Sequence, residues 1–217
     1  MLPTITRDTI DLPPGGEVIL RYQTWDDYEA LLQARQDKAA IKIYFDATTQ
    51  KIRIVAPLPG HGKKSDTLSD LVKCLLRYQG RDWESFDPIT LKRLEQKGLE
   101  PDACFYIQNR EAILGKERID LEESPPPDLA LEVDLTSSTK AEDYETIGVP
   151  ELWIYREQEL HIYGFDGQRY QESQESGTFP GIPVKQLIPN YVERAWQAGS
   201  SVALREFEDY LQQTSFR

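Results

Sequence analysis

Apolar and polar positions change period several times along the chain, and each change predicts an element. Residues 1–23 hold Pro3, Pro13, Pro14, Gly15 and Gly16 and read as an irregular arm, with an edge strand around Val18–Tyr22. Thr24, with Asp27 three residues on, forms a short-armed capping box for a helix whose buried stripe is Tyr28, Leu31 and Leu32. Clean alternation over Ile41–Phe45 and Lys51–Val55, either side of the polar turn Ala47–Gln50, predicts a hairpin. Beyond the break Pro57-Leu58-Pro59-Gly60 the period lengthens. Leu68, Leu71, Val72, Leu75 and Leu76 then fall on one face of a helix running from about His61 to Tyr78, with Gly80 as its stop.

The second half opens with strand-like runs at Thr90–Arg93 and Ala103–Ile107, followed by a polar connection over residues 108–124. Pro125–Arg156 then reads as strand, polar loop, short helix, strand. Leu129–Asp134 is an apolar run, Thr136–Ser138 a loop, Lys140 and Tyr144 lie on a helix of one or two turns stopped by Gly148, and Leu152–Tyr155 is a second strand. That order predicts a parallel pair buried on both faces. Glu159–Tyr163 and Gln168–Gln171 flank Asp166-Gly167, a strong hairpin signal. Ile188–Gln197 and Val202–Gln212 read as closing helices, the last with Phe207, Tyr210 and Leu211 facing the core. The expected fold is α/β: a mixed central sheet of Ile41–Phe45, Lys51–Val55, Thr90–Arg93, Ala103–Ile107, Leu129–Asp134 and Leu152–Tyr155 flanked by helices. The expected organisation is an arm over 1–23, a main domain over 24–197 and a closing helix over 198–217.

Composition narrows the classes. With 217 residues and 39% hydrophobic content the chain can bury one substantial core. No apolar run approaches the ~20 residues of a membrane span, and no charged-then-apolar leader opens the sequence. Cys74 and Cys104 do not make a disulfide framework or a zinc site. A cytoplasmic location is the resulting expectation. The net charge of −12 and a pI near 4.7 argue against a passive nucleic-acid binder. The acidity is uneven: residues 61–100 hold eight bases against seven acids, whereas residues 101–160 hold five against fifteen.

Carboxylates in buried strands carry a desolvation cost that packing alone does not explain. Glu132 and Asp134 are two apart and share one face of their strand. Asp102 opens a neighbouring strand after Pro101, and Lys140 lies shortly beyond. Three acids can hold a hard divalent cation through oxygen ligands, and a lysine beside them can position a water or stabilise charge at a phosphate. His61, just ahead of its helix, is a candidate ligand or base. Lys63, Lys64, Lys92 and Arg93, with Lys73, Arg77 and Lys97, are candidate phosphate contacts in the one near-neutral region. Three readings stay open on these residues: a metal-dependent endonuclease, a degenerate binding module that keeps the fold, and a metal-dependent hydrolase of small phosphorylated compounds.

At "EPDACFYI" (100–107), "PPPDLALEVDLTSST" (125–139) and "KAEDYETIGVPELWIY" (140–155) the chain resembles the Uma-type family of endonucleases, formerly a domain of unknown function, in the PD-(D/E)XK restriction-endonuclease-like superfamily. Looser matches are "IKIYFDATTQKIRIVAPLPGH" (41–61) and "TLKRL" (90–94). The resemblance implies a restriction-endonuclease-like core. It further implies Mg²⁺ or Mn²⁺ held by Asp102 and Glu132 with help from Asp134, hydrolysis of DNA, and a homodimer. Asp134 stands where the superfamily keeps a lysine. Lys140, Tyr144 and Gly148 keep the register in which the family carries its lysine on the following helix, which makes Lys140 the candidate catalytic lysine and Tyr144 an accessory candidate. The family's His-Glu pair reads His61-Gly62 here.

Overall fold

The computed structural model describes residues 12–35, 41–87, 89–135, 139–214 and 216. The hairpin of β2 (Lys42–Asp46) and β3 (Lys51–Val55) forms as the alternation predicts, but it does not join the strands that carry the acids. It pairs with β1 (Glu17–Arg21) on one side and, through β6 (Lys97–Leu99), with β5 (Leu91–Arg93) on the other. This five-stranded sheet, ordered β1-β3-β2-β6-β5, is antiparallel throughout. One face of the hairpin, Ile43, Phe45, Ile52 and Ile54, packs on Tyr28 and Leu31 of α1 (Trp25–Arg35) and makes a small core of its own. Period-2 alternation states which face is buried and is silent on which strand lies alongside, so one mixed sheet became two.

The second sheet gathers β4 (Glu84–Phe86), β7 (Ala103–Tyr106), β8 (Leu129–Asp134), β9 (Glu151–Arg156), β10 (Glu159–Phe165) and β11 (Tyr170–Ser173) in the order β11-β10-β9-β8-β7-β4. Among the described strands only β8 and β9 run parallel, with Glu132 opposite Ile154 and Asp134 opposite Arg156. The connection between them contains a single 3₁₀ turn, Ala141–Tyr144, in place of the short α-helix expected there. Backbone N–H groups of Ile147 and Gly148 both close onto the Tyr144 carbonyl, and Gly148 adopts φ +76°, which ends the turn at once. The expected loop Thr136–Ser138 lies outside the described residues. Asp166-Gly167 turns β10 into β11, with Gly167 at φ +96° and the Asp166 carboxylate accepting from the N–H groups of Gln168 and Arg169.

Both faces of this sheet are covered, and β8 shows why its sequence is apolar yet acidic. Leu129, Leu131 and Val133 point to a core shared with Leu68, Leu71 and Leu75 of α2 (Pro59–Tyr78), Ile188 and Val192 of α3 (Val184–Ala198), and Phe207 and Leu211 of α4 (Ser200–Gln213). Ala130 points the other way, into a second core with Leu91, Leu99, Cys104, Tyr144 and Ile154. Glu132 and Asp134 share that second direction by strand alternation, so they look toward the first sheet and not toward the helices. The segment Glu100-Pro101-Asp102 is the crossing from β6 of one sheet to β7 of the other. The Thr24–Asp27 capping box forms as expected, with Asp27 N–H on Thr24 Oγ1 at 3.2 Å and Thr24 N–H on Asp27 Oδ2 at 2.8 Å. No helix among the described residues is long and apolar enough to cross a membrane.

The small core has a tight point. A Cβ at Gly98 would lie 2.2 Å from the Tyr28 hydroxyl oxygen and 2.3 Å from the ring carbon bearing it, and Tyr28 is fully buried in a stack with Phe45. Gly98→Ala should therefore lower stability by about 2 kcal/mol through overpacking, read as a shift of the urea-unfolding midpoint at unchanged slope.

Candidate active site

Among the described residues six carboxylates are buried, and their partners divide them into two groups. Glu100 is held by Arg35 Nη1 at 2.6 Å, Thr90 Oγ1 at 2.6 Å and the N–H of Ile43 at 2.8 Å, which ties α1 to β2. Asp128 accepts the N–H groups of Ile107, Gln108 and Asn109 at 2.6, 2.9 and 3.1 Å and so anchors the polar connection that follows β7. Glu151 takes Trp153 Nε1, the Ser176 hydroxyl and the N–H of Thr178. Asp134 receives Arg156 Nη2 at 2.5 Å and Nε at 3.1 Å, and both the N–H and the hydroxyl of Thr139 at 2.9 Å. These four are satisfied by local architecture. Asp102 and Glu132 are the two left facing one another.

Between them stands Lys42 of β2. Its ammonium donates to Asp102 Oδ1 and lies 3.9 Å from Glu132 Oε2, with 9% of the residue exposed. Asp102 is set by its backbone, whose N–H donates to Leu131 O at 3.0 Å, and by the N–H of Val133, which donates to Oδ2 at 2.7 Å. His61, in the first turn of α2, brings Nε2 to 3.2 Å from the same Oδ2. The Tyr144 hydroxyl, delivered by the 3₁₀ turn, donates to Glu132 Oε1 at 2.5 Å. Three elements of the second sheet and its connection, one strand of the first sheet and the start of α2 therefore converge on one buried cluster.

The sequence-derived candidates divide accordingly. Asp102, Glu132, His61 and Tyr144 come together. Asp134 lies one strand step further along β8 and is taken by Arg156 and Thr139. Lys140 is exposed at the start of the 3₁₀ turn; its backbone N–H reaches Asp143 Oδ2 at 3.3 Å, and its side chain pairs with neither Asp102 nor Glu132. Lys92 is ion-paired to Glu29 at 2.8 Å, and Arg93 donates to the Leu121 carbonyl, both on the outer strand of the first sheet. Lys63 and Lys64 lie beside Trp196, on the α2 turn that also carries His61. Lys42 is the residue that sequence reasoning passed over. It sits in an alternating strand where a polar residue reads as solvent-facing, and the only hint is that Lys42 and Tyr44 share a face whose other strand neighbours are half-buried.

Electrostatics in the cluster are lopsided. Burial pushes Glu132 upward, the adjacent Asp102 charge adds to it, and Lys42 and the Tyr144 hydrogen bond only partly oppose, leaving the carboxyl raised to about 8. Burial also works against ionised Asp102, but Lys42 and His61 outweigh it and hold that carboxyl well below the usual range. Burial alone would discharge Lys42; Asp102 and Glu132 more than compensate and raise it. These shifts favour a charged Lys42–Asp102 pair beside a Glu132 carboxyl that resists ionisation. Among the described residues no three His, Cys, Asp or Glu side chains gather as a ready-made metal cage.

The cluster thus brings a carboxylate from the crossing, a carboxylate from β8 and a lysine from the other sheet to one buried point. The comparisons give the family. A family model described as "Putative restriction endonuclease", Uma2, matches residues 25–196, and the chain belongs to that family. Among solved structures, that of a putative nuclease belonging to DUF820 from Anabaena variabilis is similar, at 15% identity and a TM-score of 0.49, covering 83% of this chain and 98% of that one. No curated protein matches.

Two outcomes follow from the cluster. Replacing Lys42 by Met leaves Asp102 buried without its ammonium, so stability should fall by about 3 kcal/mol; Lys140→Ala, at an exposed position, should stay within about 0.5 kcal/mol. Chemical denaturation of both variants checks the contrast. The second concerns pH. The folded state holds the Glu132 proton up to about 8 while the unfolded chain releases it near the ordinary carboxylate value, so between those values the unfolded state binds fewer protons and stability falls as pH rises. Urea midpoints measured in EDTA from pH 5 to 8.5 should decline, and Glu132→Gln should flatten the decline.

Proposed function

We propose that this protein is a divalent-cation-dependent endonuclease that hydrolyses phosphodiester bonds in DNA, using Asp102, Glu132 and Lys42. The observation that carries the reading is the convergence of two buried carboxylates from neighbouring strands on one cationic position, in a member of a restriction-endonuclease family. The donor set fits Mg²⁺ or Mn²⁺. Both side chains offer hard oxygens, and the position they share already accommodates one positive charge, the Lys42 ammonium. Asp102 and Glu132 would hold the cation. Once bound, it would supply Lewis-acid stabilisation of the phosphate oxygens.

The protein's own groups have distinct tasks. Asp102 is pre-oriented by the Val133 N–H and His61, so it needs no reorganisation to present its oxygens. Glu132 must give up its proton to act as a ligand, with the Tyr144 hydroxyl then stabilising the carboxylate as a donor. Tyr144 itself stays a phenol, since burial and the neighbouring Glu132 push it well above its usual range. Lys42, relieved of balancing two carboxylates, offers its ammonium to a non-bridging phosphate oxygen or to the attacking water. That is the role the family register suggested for Lys140. Asp134, tied to Arg156, contributes its charge and the stiffness of the strand end.

The test is cleavage of plasmid and oligonucleotide DNA with Mg²⁺ or Mn²⁺, alongside Mn²⁺ titration by calorimetry. Glu132→Gln and Lys42→Met should each lower cleavage by at least about a hundredfold, and only Glu132→Gln should abolish Mn²⁺ binding. Because the ligand must be deprotonated, binding should release a proton and tighten from pH 6 to 8, visible as a buffer-dependent heat. DNA binding without cleavage under any divalent cation would mean that the fold persists as a binding module.

A further inference from the structure

Among the described residues, many cations of this acidic chain are paired with carboxylates, such as Arg35 with Glu100, Arg77 with Glu208, Lys92 with Glu29, Lys97 with Asp46 and Asp143, Arg156 with Asp134, and Arg194 with Glu206. Lys63 and Lys64 are among those that are not, and both rest against an exposed indole. Among the described residues neither has a carboxylate partner; their ammonium groups instead lie 4.9 and 5.5 Å from the ring centroid of Trp196, and Lys64 also lies 5.7 Å from that of Tyr155. Trp196 is a large aromatic left 49% exposed at the end of α3. Its indole closes on Gly60, where an added Cβ would come within 3.4 Å of the ring. The next residue, His61, reaches Asp102 at 3.2 Å. An exposed indole from α3 and two ammonium groups without carboxylate partners therefore meet at the start of α2, whose His61 touches Asp102. The nearest acid on α3, Glu193, is one turn back and held by Gln197 Nε2 at 2.9 Å.

We propose that Trp196, Lys63 and Lys64 form a stacking platform that receives an unpaired strand of nucleic acid at the mouth of the Asp102–Glu132 site. The proposal rests on the nuclease reading above and assigns its substrate as single-stranded. Only an unpaired base presents a free face to an indole, and base–aromatic stacking is independent of sequence. Two ammonium groups suit the spaced phosphates of one strand. A duplex carries one charge per ~1.7 Å of axis, and a protein of net charge −12 with two free lysines at its site repels it. Cation–π contact with the lysines keeps the indole in place and the ammonium groups beside it.

The experiment is fluorescence anisotropy of a labelled 12-nucleotide DNA, single-stranded or annealed to its complement, titrated with the full chain in EDTA. Hydrolysis of bis(4-nitrophenyl) phosphate by the wild type with Mn²⁺ is read in parallel. The single strand should bind more tightly than the duplex. Trp196→Ala should weaken single-strand binding by about tenfold, while Trp196→Phe, which keeps a stacking face, should retain most of it. The salt dependence should have a log–log slope of about −1.4 for two phosphate contacts, and Lys63→Ala with Lys64→Ala should flatten it. Tighter binding of duplex, or single-strand binding unchanged in Trp196→Ala, with wild-type hydrolysis present, would overturn the platform and leave the nuclease reading standing. Trp196-dependent binding of the single strand without any hydrolysis would support the platform and sink the nuclease reading.

Discussion

The contact on which this structure turns is the buried ammonium of Lys42 between Asp102 and Glu132. It joins the two sheets, because Lys42 belongs to β2 while both carboxylates belong to the strands and crossing of the second sheet. Taking three ionisable groups out of water is costly, and a buried ion pair is weak evidence of stability, since apolar residues of similar volume often serve better. Glu132 is also the least supported of the buried acids: it has one phenol and a distant ammonium where the others have fuller sets of donors, and burial pushes its carboxyl up.

That contrast organises the rest of the acidic interior. Glu100 fastens α1 to the hairpin, Asp128 fastens the connection after β7, and Glu151 fastens the segment after β11, each by hydrogen bonds that replace the lost water. Asp134 extends the same logic through its register partner Arg156. The acids around the site therefore hold the scaffold rigid, and the pair at its centre stays available. Under the proposed function such rigid placement would serve catalysis, because phosphodiester cleavage works by positioning and by charge set out in advance.

Net charge acts at longer range. A chain at −12 repels polyanions on average, so under the proposed function contact with a nucleic acid would depend on where cations are left without carboxylate neighbours. The ion pairs on the outer strand of the first sheet take Lys92 and Arg93 out of that account. Lys63 and Lys64, resting on Trp196 beside the site, remain in it.

Local pattern alone determined a good deal. The parallel β8–β9 pair, both hairpins, α1 with its capping box, α2 and the two closing helices follow from periodicity and from Gly, Pro and Asp at turns. Asp102 and Glu132 stood out because acids in apolar strands demand an explanation, and His61 because a histidine sits just ahead of its helix; Tyr144 entered only through the family register. Tertiary structure decided the remainder. The division into two sheets depended on which strand edges met, and strand alternation assigns faces without assigning neighbours. The lysine depended on the same choice. Lys140 is close to Glu132 in sequence, yet the turn that carries it is too short and faces solvent. Lys42 is 60 and 90 residues from its two partners, and it reaches them only because the crossing at Glu100-Pro101-Asp102 lays one sheet against the other. Side-chain spacing along a strand carries no information about a contact made between sheets.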